Sequence, residues 1–217
     1  DTSTNDLGLQ NPNYFDKNTD ILVTKLNQNG EIQWTKIYED EYIDSAGSIN
    51  IDNEGNIIFS KLGTSYRDYY TTTIFDVYLT KLDSNGEILL QKNVDISRLN
   101  ASDLEIDKEG SIYLTGTFYR QKKSERNGYL TKFDSNLELI WRTNFESSEQ
   151  DLPREILIGA NNNIYVLGKT NGDLNGELKV PSTRENNKSS DAFITKFDKN
   201  GTNQWTKLYG QGESDEG

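Results

Sequence analysis

The chain has 217 residues, with 35 Asp or Glu against 23 Lys or Arg, a formal net charge of −12, and no histidine, cysteine or methionine. Without His or Cys, Ser-His-Asp and Cys-His nucleophile systems and the usual zinc, copper and haem sites are excluded; any metal must be held by oxygen, which makes calcium the candidate. The acidic balance argues against nucleic acid, which needs a basic footprint, and no run approaches the ~20 apolar residues of a membrane span.

Residues 1–20 are polar and turn-rich and read as loop. A β-type run follows at Ile21–Leu26, then the Asn29-Gly30 turn, then a second run at Glu31–Tyr38. Asn-Gly between two such runs predicts a type I′ hairpin, with positive φ at both central residues. The acidic stretch Glu39–Gly47 reads as loop, Ser48–Asp52 as a third strand, and Asn56–Leu62 as a fourth after the turn Asn53-Glu54-Gly55. These four short antiparallel strands are labelled A, B, C and D.

The plan recurs. In the second copy, A is Val77–Leu82, B is Glu87–Val94, C is Leu104–Asp107 and D is Ser111–Thr117. The third has A at Tyr129–Phe133, B at Leu137–Phe145, C at Glu155–Gly159 and D at Asn163–Lys169. The fourth has A at Phe193–Phe197 and B at Asn203–Tyr209, followed by the acidic GQGESDEG. A Thr-Lys pair marks each copy at Thr24, Thr80, Thr131 and Thr195, and repetition of this length signals a repeat architecture. Helix is not expected, because no segment sustains a 3.6-residue period with caps. The expected fold is all-β: a β-propeller of four-stranded antiparallel blades at 21–62, 77–117, 129–169 and 193–217, the last incomplete. The opening DTSTNDLG resembles the GKTNGDLNG that follows the third strand D. The chain therefore reads as about three and a half blades of a longer propeller; the alternative is a four-bladed ring with one two-stranded blade.

The pattern A-F-I-T-K-F-D-x-N-G-x-x-x-W-x-x-x-Y-G at 192–210, followed by G-x-S-D-E-G, resembles the bacterial SBBP (seven-bladed β-propeller) repeat family, as does I-D-x-E-G-x-I-Y-L-T-G at 106–116. The resemblance implies a propeller in secreted or cell-surface bacterial proteins, without enzymatic activity, and it supplies no catalytic residues. The chain departs from the pattern at Leu90, where the other copies have Trp34, Trp141 and Trp205, and at Lys61, where later copies have Gly116 and Gly168.

A four-strand meander puts the A–B and C–D turns at one end and the B–C and D–A connections at the other. The first set is short and uniform. The D–A connections 63–76, 118–128 and 170–191 are long and unlike one another, so ligand binding is expected on their face. There the candidates for partner binding are Tyr66, Arg67, Tyr69 and Tyr70, and Tyr119 and Arg120 beside Lys122, Lys123 and Arg126. Aromatic and Arg side chains suit a protein or glycan interface; the competing reading is packing on their own blade. Acidic B–C loops offer calcium candidates at Glu39, Asp40 and Asp44 and at Glu213 and Asp215, with Glu146, Glu149 and Asp151 a further cluster. A solvated acidic surface is the preferred reading. Asp83, Asn85 and Gly86 and their equivalents fail the EF-hand spacing and read as hairpin turns.

The three Trp residues read as packing between blades rather than as a sugar platform, with Lys25, Lys81, Lys132 and Lys196 beside their rings. The leading function is a non-catalytic extracellular module that binds protein or glycan, with self-association or continuation by further blades as a second mode. Alternatives are a structural subunit of a surface layer, fibre or adhesin, and a carboxylate-based glycosidase or lyase.

Overall fold

The structure, a computed structural model, describes residues 19–39, 43–66, 73–94, 99–119, 126–179 and 189–210. Those residues form fourteen strands and no α-helix. The strands are β1 (Ile21–Leu26), β2 (Ile32–Tyr38), β3 (Ile43–Ile51), β4 (Ile57–Tyr66), β5 (Thr73–Leu82), β6 (Ile88–Asn93) and β7 (Leu99–Ile106). They continue as β8 (Ile112–Tyr119), β9 (Arg126–Phe133), β10 (Leu139–Phe145), β11 (Asp151–Ile158), β12 (Ile164–Thr170), β13 (Asp191–Phe197) and β14 (Asn203–Tyr209).

Pairing groups them as a hairpin β1–β2 and three four-stranded antiparallel meanders, β3–β6, β7–β10 and β11–β14. The hydrogen-bonded unit is therefore C-D-A-B, not the expected A-B-C-D. Strands C and D of one copy join A and B of the next, and the B–C connection crosses between sheets. The reason lies in the long D–A segments. Gly63–Tyr66 pairs with Thr73–Asp76, and Phe118–Tyr119 pairs with Arg126–Asn127, so much of each expected loop is strand. β3 likewise starts at Ile43, inside the stretch that reads as acidic loop. Each C strand carries a bulge at a matching place, between Ala46 and Ile49, Ala101 and Asp103, and Pro153 and Glu155. At these places strand C carries extra residues against its partner, the signature of a β-bulge.

The sheets stack face to face. Ile21 and Val23 of β1 pack with Ile57, Phe59 and Leu82. Ile58, Val77 and Leu79 pack against Leu114, Tyr129 and Phe133 of the next sheet. Tyr113, Leu130 and Phe145 meet Ile164, Phe193 and Phe197 of the last. β8 is buried over six consecutive residues because both of its faces are covered. β12 and β13 alternate buried and half-buried residues because only one face of the last sheet is covered.

Six turns share one construction. Asn27, Asp52, Asp83, Asp107, Asp134 and Asp198 each use Oδ1 to accept the backbone N–H groups two and four residues on, at 2.8–3.0 Å. The fourth residue sits at positive φ: Gly30, Gly55, Gly86, Gly110, Leu137 and Gly201. Asn29 has no positive φ, so the expected type I′ turn is instead a type I turn closed by a Gly bulge. The side chain that looks like a calcium ligand works as a turn cap. At Asp83 the Glu87 N–H, then that of Asn85 and the charge of Lys36, outweigh desolvation and hold the carboxyl below its usual range.

Candidate functional site

The turn end is built for sheet-to-sheet contact. Lys25 Nζ and Trp34 Nε1 both donate to Ser84 O of the next sheet, at 2.8 and 3.1 Å, and Tyr38 OH donates to Gly86 O at 2.7 Å. Burial between the sheets, with Glu87 and Asp83 nearby, pushes the Tyr38 hydroxyl up to about 12. Lys36 pairs with Glu87 at 2.5 Å. The next junction repeats the scheme: Lys81 Nζ donates to Ser135 O at 3.3 Å and Lys92 pairs with Glu138. At the third, Thr143 Oγ1 donates to Gly201 O at 2.8 Å.

Two of the turn glycines, Gly86 and Gly201, are seated on the Trp of the preceding sheet. A Cβ on Gly86 would lie 3.0 Å from Trp34, and one on Gly201 would lie 2.8 Å from Trp141. The middle junction replaces both partners. Leu90 stands in place of Trp, and Leu137, at φ 61, in place of Gly. Leu137 is buried in the cluster on which Leu90 packs. The small-plus-large pair has become two medium side chains that fill the same junction, which explains the departure at Leu90.

The Trp–Lys expectation needs one correction. Lys25 and Trp34 are direct cross-strand partners, as are Lys196 and Trp205. The cation–π contacts, however, are to tyrosines on strand D: Lys132 over Tyr113 at 5.0 Å and Lys196 over Tyr165 at 5.9 Å. Lys81 faces Ile58 at this position and instead pairs with Asp52 at 3.0 Å. Lys61, which stands where later copies have Gly116 and Gly168, is buried with its Nζ 5.3 Å from the Tyr78 ring centroid.

At the opposite end, Tyr119 closes β8 and pairs with Arg126, whose guanidinium lies 5.1 Å from its ring centroid. Arg142 sits between Phe118 and Tyr129, at 5.2 and 5.0 Å, and burial pulls its pKa down. This aromatic and Arg group packs on its own sheet, the competing reading at Tyr119. Tyr66 ends β4 opposite Thr73. Arg67, Tyr69, Tyr70 and Arg120 lie outside the described residues.

Of the calcium candidates, Glu39 is exposed, Asp44 of β3 stands opposite Gly63 of β4, and Asp40, Glu213 and Asp215 lie outside the described residues. Among the described residues no three His, Cys, Asp or Glu side chains are grouped to hold a metal. Asp151 turns inward. Its Oδ2 accepts Ser147 N and its Oδ1 accepts Thr170 Oγ1, both at 2.6 Å, and Thr170 Oγ1 accepts Gly172 N at 3.1 Å. Burial drives the Asp151 carboxyl up to about 6, against these hydrogen bonds. Asp191, also buried, lies across Thr170 on the next strand. Asp151 thus holds its proton to a higher pH than an ordinary carboxyl does.

Sequence reasoning missed Asp103. Its carboxylate accepts Ser48 Oγ at 2.8 Å and Ile156 N at 2.9 Å, tying β3, β7 and β11 together. Asn50 adds a hydrogen bond to Glu105 at 3.1 Å. The available signal was a polar residue alternating with Leu104 and Ile106 in the same place on successive C strands.

No protein-family model matches the chain. It is 24% identical over 159 residues to the "Regulatory protein FlaEY" of Caulobacter vibrioides, spanning 64% of this chain but only 16% of that protein. Among solved structures it is similar to a protein of unknown function from Bacteroides caccae, at 10% identity and a TM-score of 0.44 over 85% of this chain and 74% of that one. It is also similar to a mutant of the Synechocystis apocarotenoid oxygenase, at 11% identity and a TM-score of 0.46 over 85% of this chain and 44% of that one.

Proposed function

We propose that the three meander sheets are consecutive blades of a β-propeller of the SBBP-repeat type. The chain then serves as a non-catalytic protein- or glycan-binding module, outside the cell or on a bacterial cell surface. One observation carries this reading. The turn ends are near-copies of one another, while the β4–β5, β8–β9 and β12–β13 connections differ in composition, and the third is much longer than the other two. A repeated frame with one varied end is how a scaffold presents recognition loops.

The test is a glycan array, with Kd measured for any hit. Replacing Tyr69 and Tyr70 together by Ala is expected to weaken binding roughly tenfold, the scale of lost aromatic hot spots. Asp83→Ala, at the other end, leaves the affinity unchanged. No hit removes glycan as the ligand class, and affinity insensitive to the tyrosines contradicts their place in the binding face.

A further inference from the structure

Arg142 breaks the pattern of its repeat position. Directly across from the Thr of each Thr-Lys pair stand Thr35, Gln91, Arg142 and Thr206. In the first and last copies the two threonines join hydroxyls, at 3.2 Å for Thr24–Thr35 and 3.0 Å for Thr195–Thr206. Opposite Arg142 that contact is lost, and Thr131 Oγ1 is buried without a hydrogen-bond partner among the described residues, as is Thr80 Oγ1 opposite Gln91.

The Arg142 guanidinium is fixed but not neutralised. It lies against the rings of Phe118 and Tyr129, and its Nε donates to Asn144 Oδ1 at 2.8 Å. Its terminal nitrogens have no partner among the described residues and are open to solvent. No carboxylate pairs with it there, in a chain that carries 35 Asp or Glu. Partial burial of a cation without a counter-charge carries a desolvation cost. A local rule broken without a compensating contact marks a functional position.

The surroundings say what fits. Phe118, half-buried, stands where the other two sheets have Gly63 and Thr170. Asn144 is exposed, and because its oxygen is taken by Arg142, its amide nitrogen is a further donor without a partner. The open polar groups are therefore all donors: Arg142 Nη1 and Nη2 and Asn144 Nδ2. A planar guanidinium edge matches a carboxylate through two parallel hydrogen bonds. One guanidinium takes one carboxylate, and a net charge of −12 repels a polyanion.

We propose that Arg142 anchors the carboxylate of a single acidic sugar, a uronate, within an otherwise neutral glycan. Asn144 Nδ2 donates to a neighbouring ring hydroxyl, and Phe118 meets the C–H face of the sugar. The proposal rests on the glycan-binding reading above and names the charged group of that ligand.

Isothermal titration calorimetry on the full chain tests it, with a trisaccharide ending in one glucuronate and the same trisaccharide ending in glucose. The glucuronate form is expected to bind roughly tenfold tighter, the scale of one charge-assisted contact. Arg142→Gln removes that preference. Asn144→Asp, a change at an exposed side chain, gives Arg142 a carboxylate of its own and also removes it, and circular dichroism confirms that both variants fold. Equal affinity of the wild type for the two trisaccharides, or a preference that survives both substitutions, overturns the proposal. So does an end-blocked Gly-Glu-Gly peptide that binds more tightly than the glucuronate form. Neutral glycan bound without preference overturns the Arg142 anchor alone, whereas no glycan bound at all removes the glycan-binding reading with it.

Discussion

Asp151 shows how an acidic B–C loop is used. Along the chain, Glu146, Glu149 and Asp151 form a carboxylate cluster; in space, Asp151 leaves it to fasten Ser147 to Thr170. Its native carboxyl titrates near 6, against an ordinary value of 3.8. Between those values the folded chain binds more protons than the unfolded chain, so this residue makes stability fall as pH rises from 3.8 to 6. The full effect is on the order of 3 kcal/mol. Asp151→Asn can keep both contacts, with its oxygen accepting Ser147 N and its amide donating to Thr170. It is expected to flatten that part of the profile, measured by urea denaturation at pH 4, 5, 6 and 7. A variant with the same slope as the wild type would refute the assignment. The burial of Asp151 could not be read from the sequence, because it depends on β12 bringing Thr170 opposite.

At the scale of strands and turns, the repeats are legible for a plain reason: one face of every strand must match the sheet next to it. Thr-Lys, the strand-B Trp and the Asx-x-Asn-Gly turn recur because each is a half of the same contact. The hairpins β1–β2 and β13–β14 are therefore readable nearly to the residue. The grouping is not. Segments such as YTTTIFD at 70–76 look like loop beside the regular copies, yet 73–76 pairs with Gly63–Tyr66. Polar, β-branched residues give a strand pair little local signature, and only cross-strand partners reveal it. Leu90 looks out of place along the chain for the same reason, since its meaning lies in Leu137, 47 positions away. The pair makes a prediction. Leu90→Trp alone overpacks the middle junction, at a cost of about 1–3 kcal/mol. Combined with Leu137→Gly, which also relieves the positive φ, it recovers at least ~1 kcal/mol of that cost. A double-mutant cycle by chemical denaturation gives the coupling, and additive effects would exclude the proposed seat.

Over the described residues, the fold is a stack of sheets whose junctions are variations on one set of contacts. Its three four-stranded sheets are legible as a tandem repeat because the period, turns and Trp positions agree. The junction contacts are less legible, since which residues meet depends on what stands beside them. The absence of native cysteine allows a direct test of the stacking. A chain carrying both Lys36→Cys and Glu87→Cys, otherwise wild type, is treated with a short bis-maleimide linker at low concentration. The contact between β2 and the β5–β6 turn predicts that the two thiols are joined within one chain. Thiols that stay unlinked, or that link only between molecules, would contradict it.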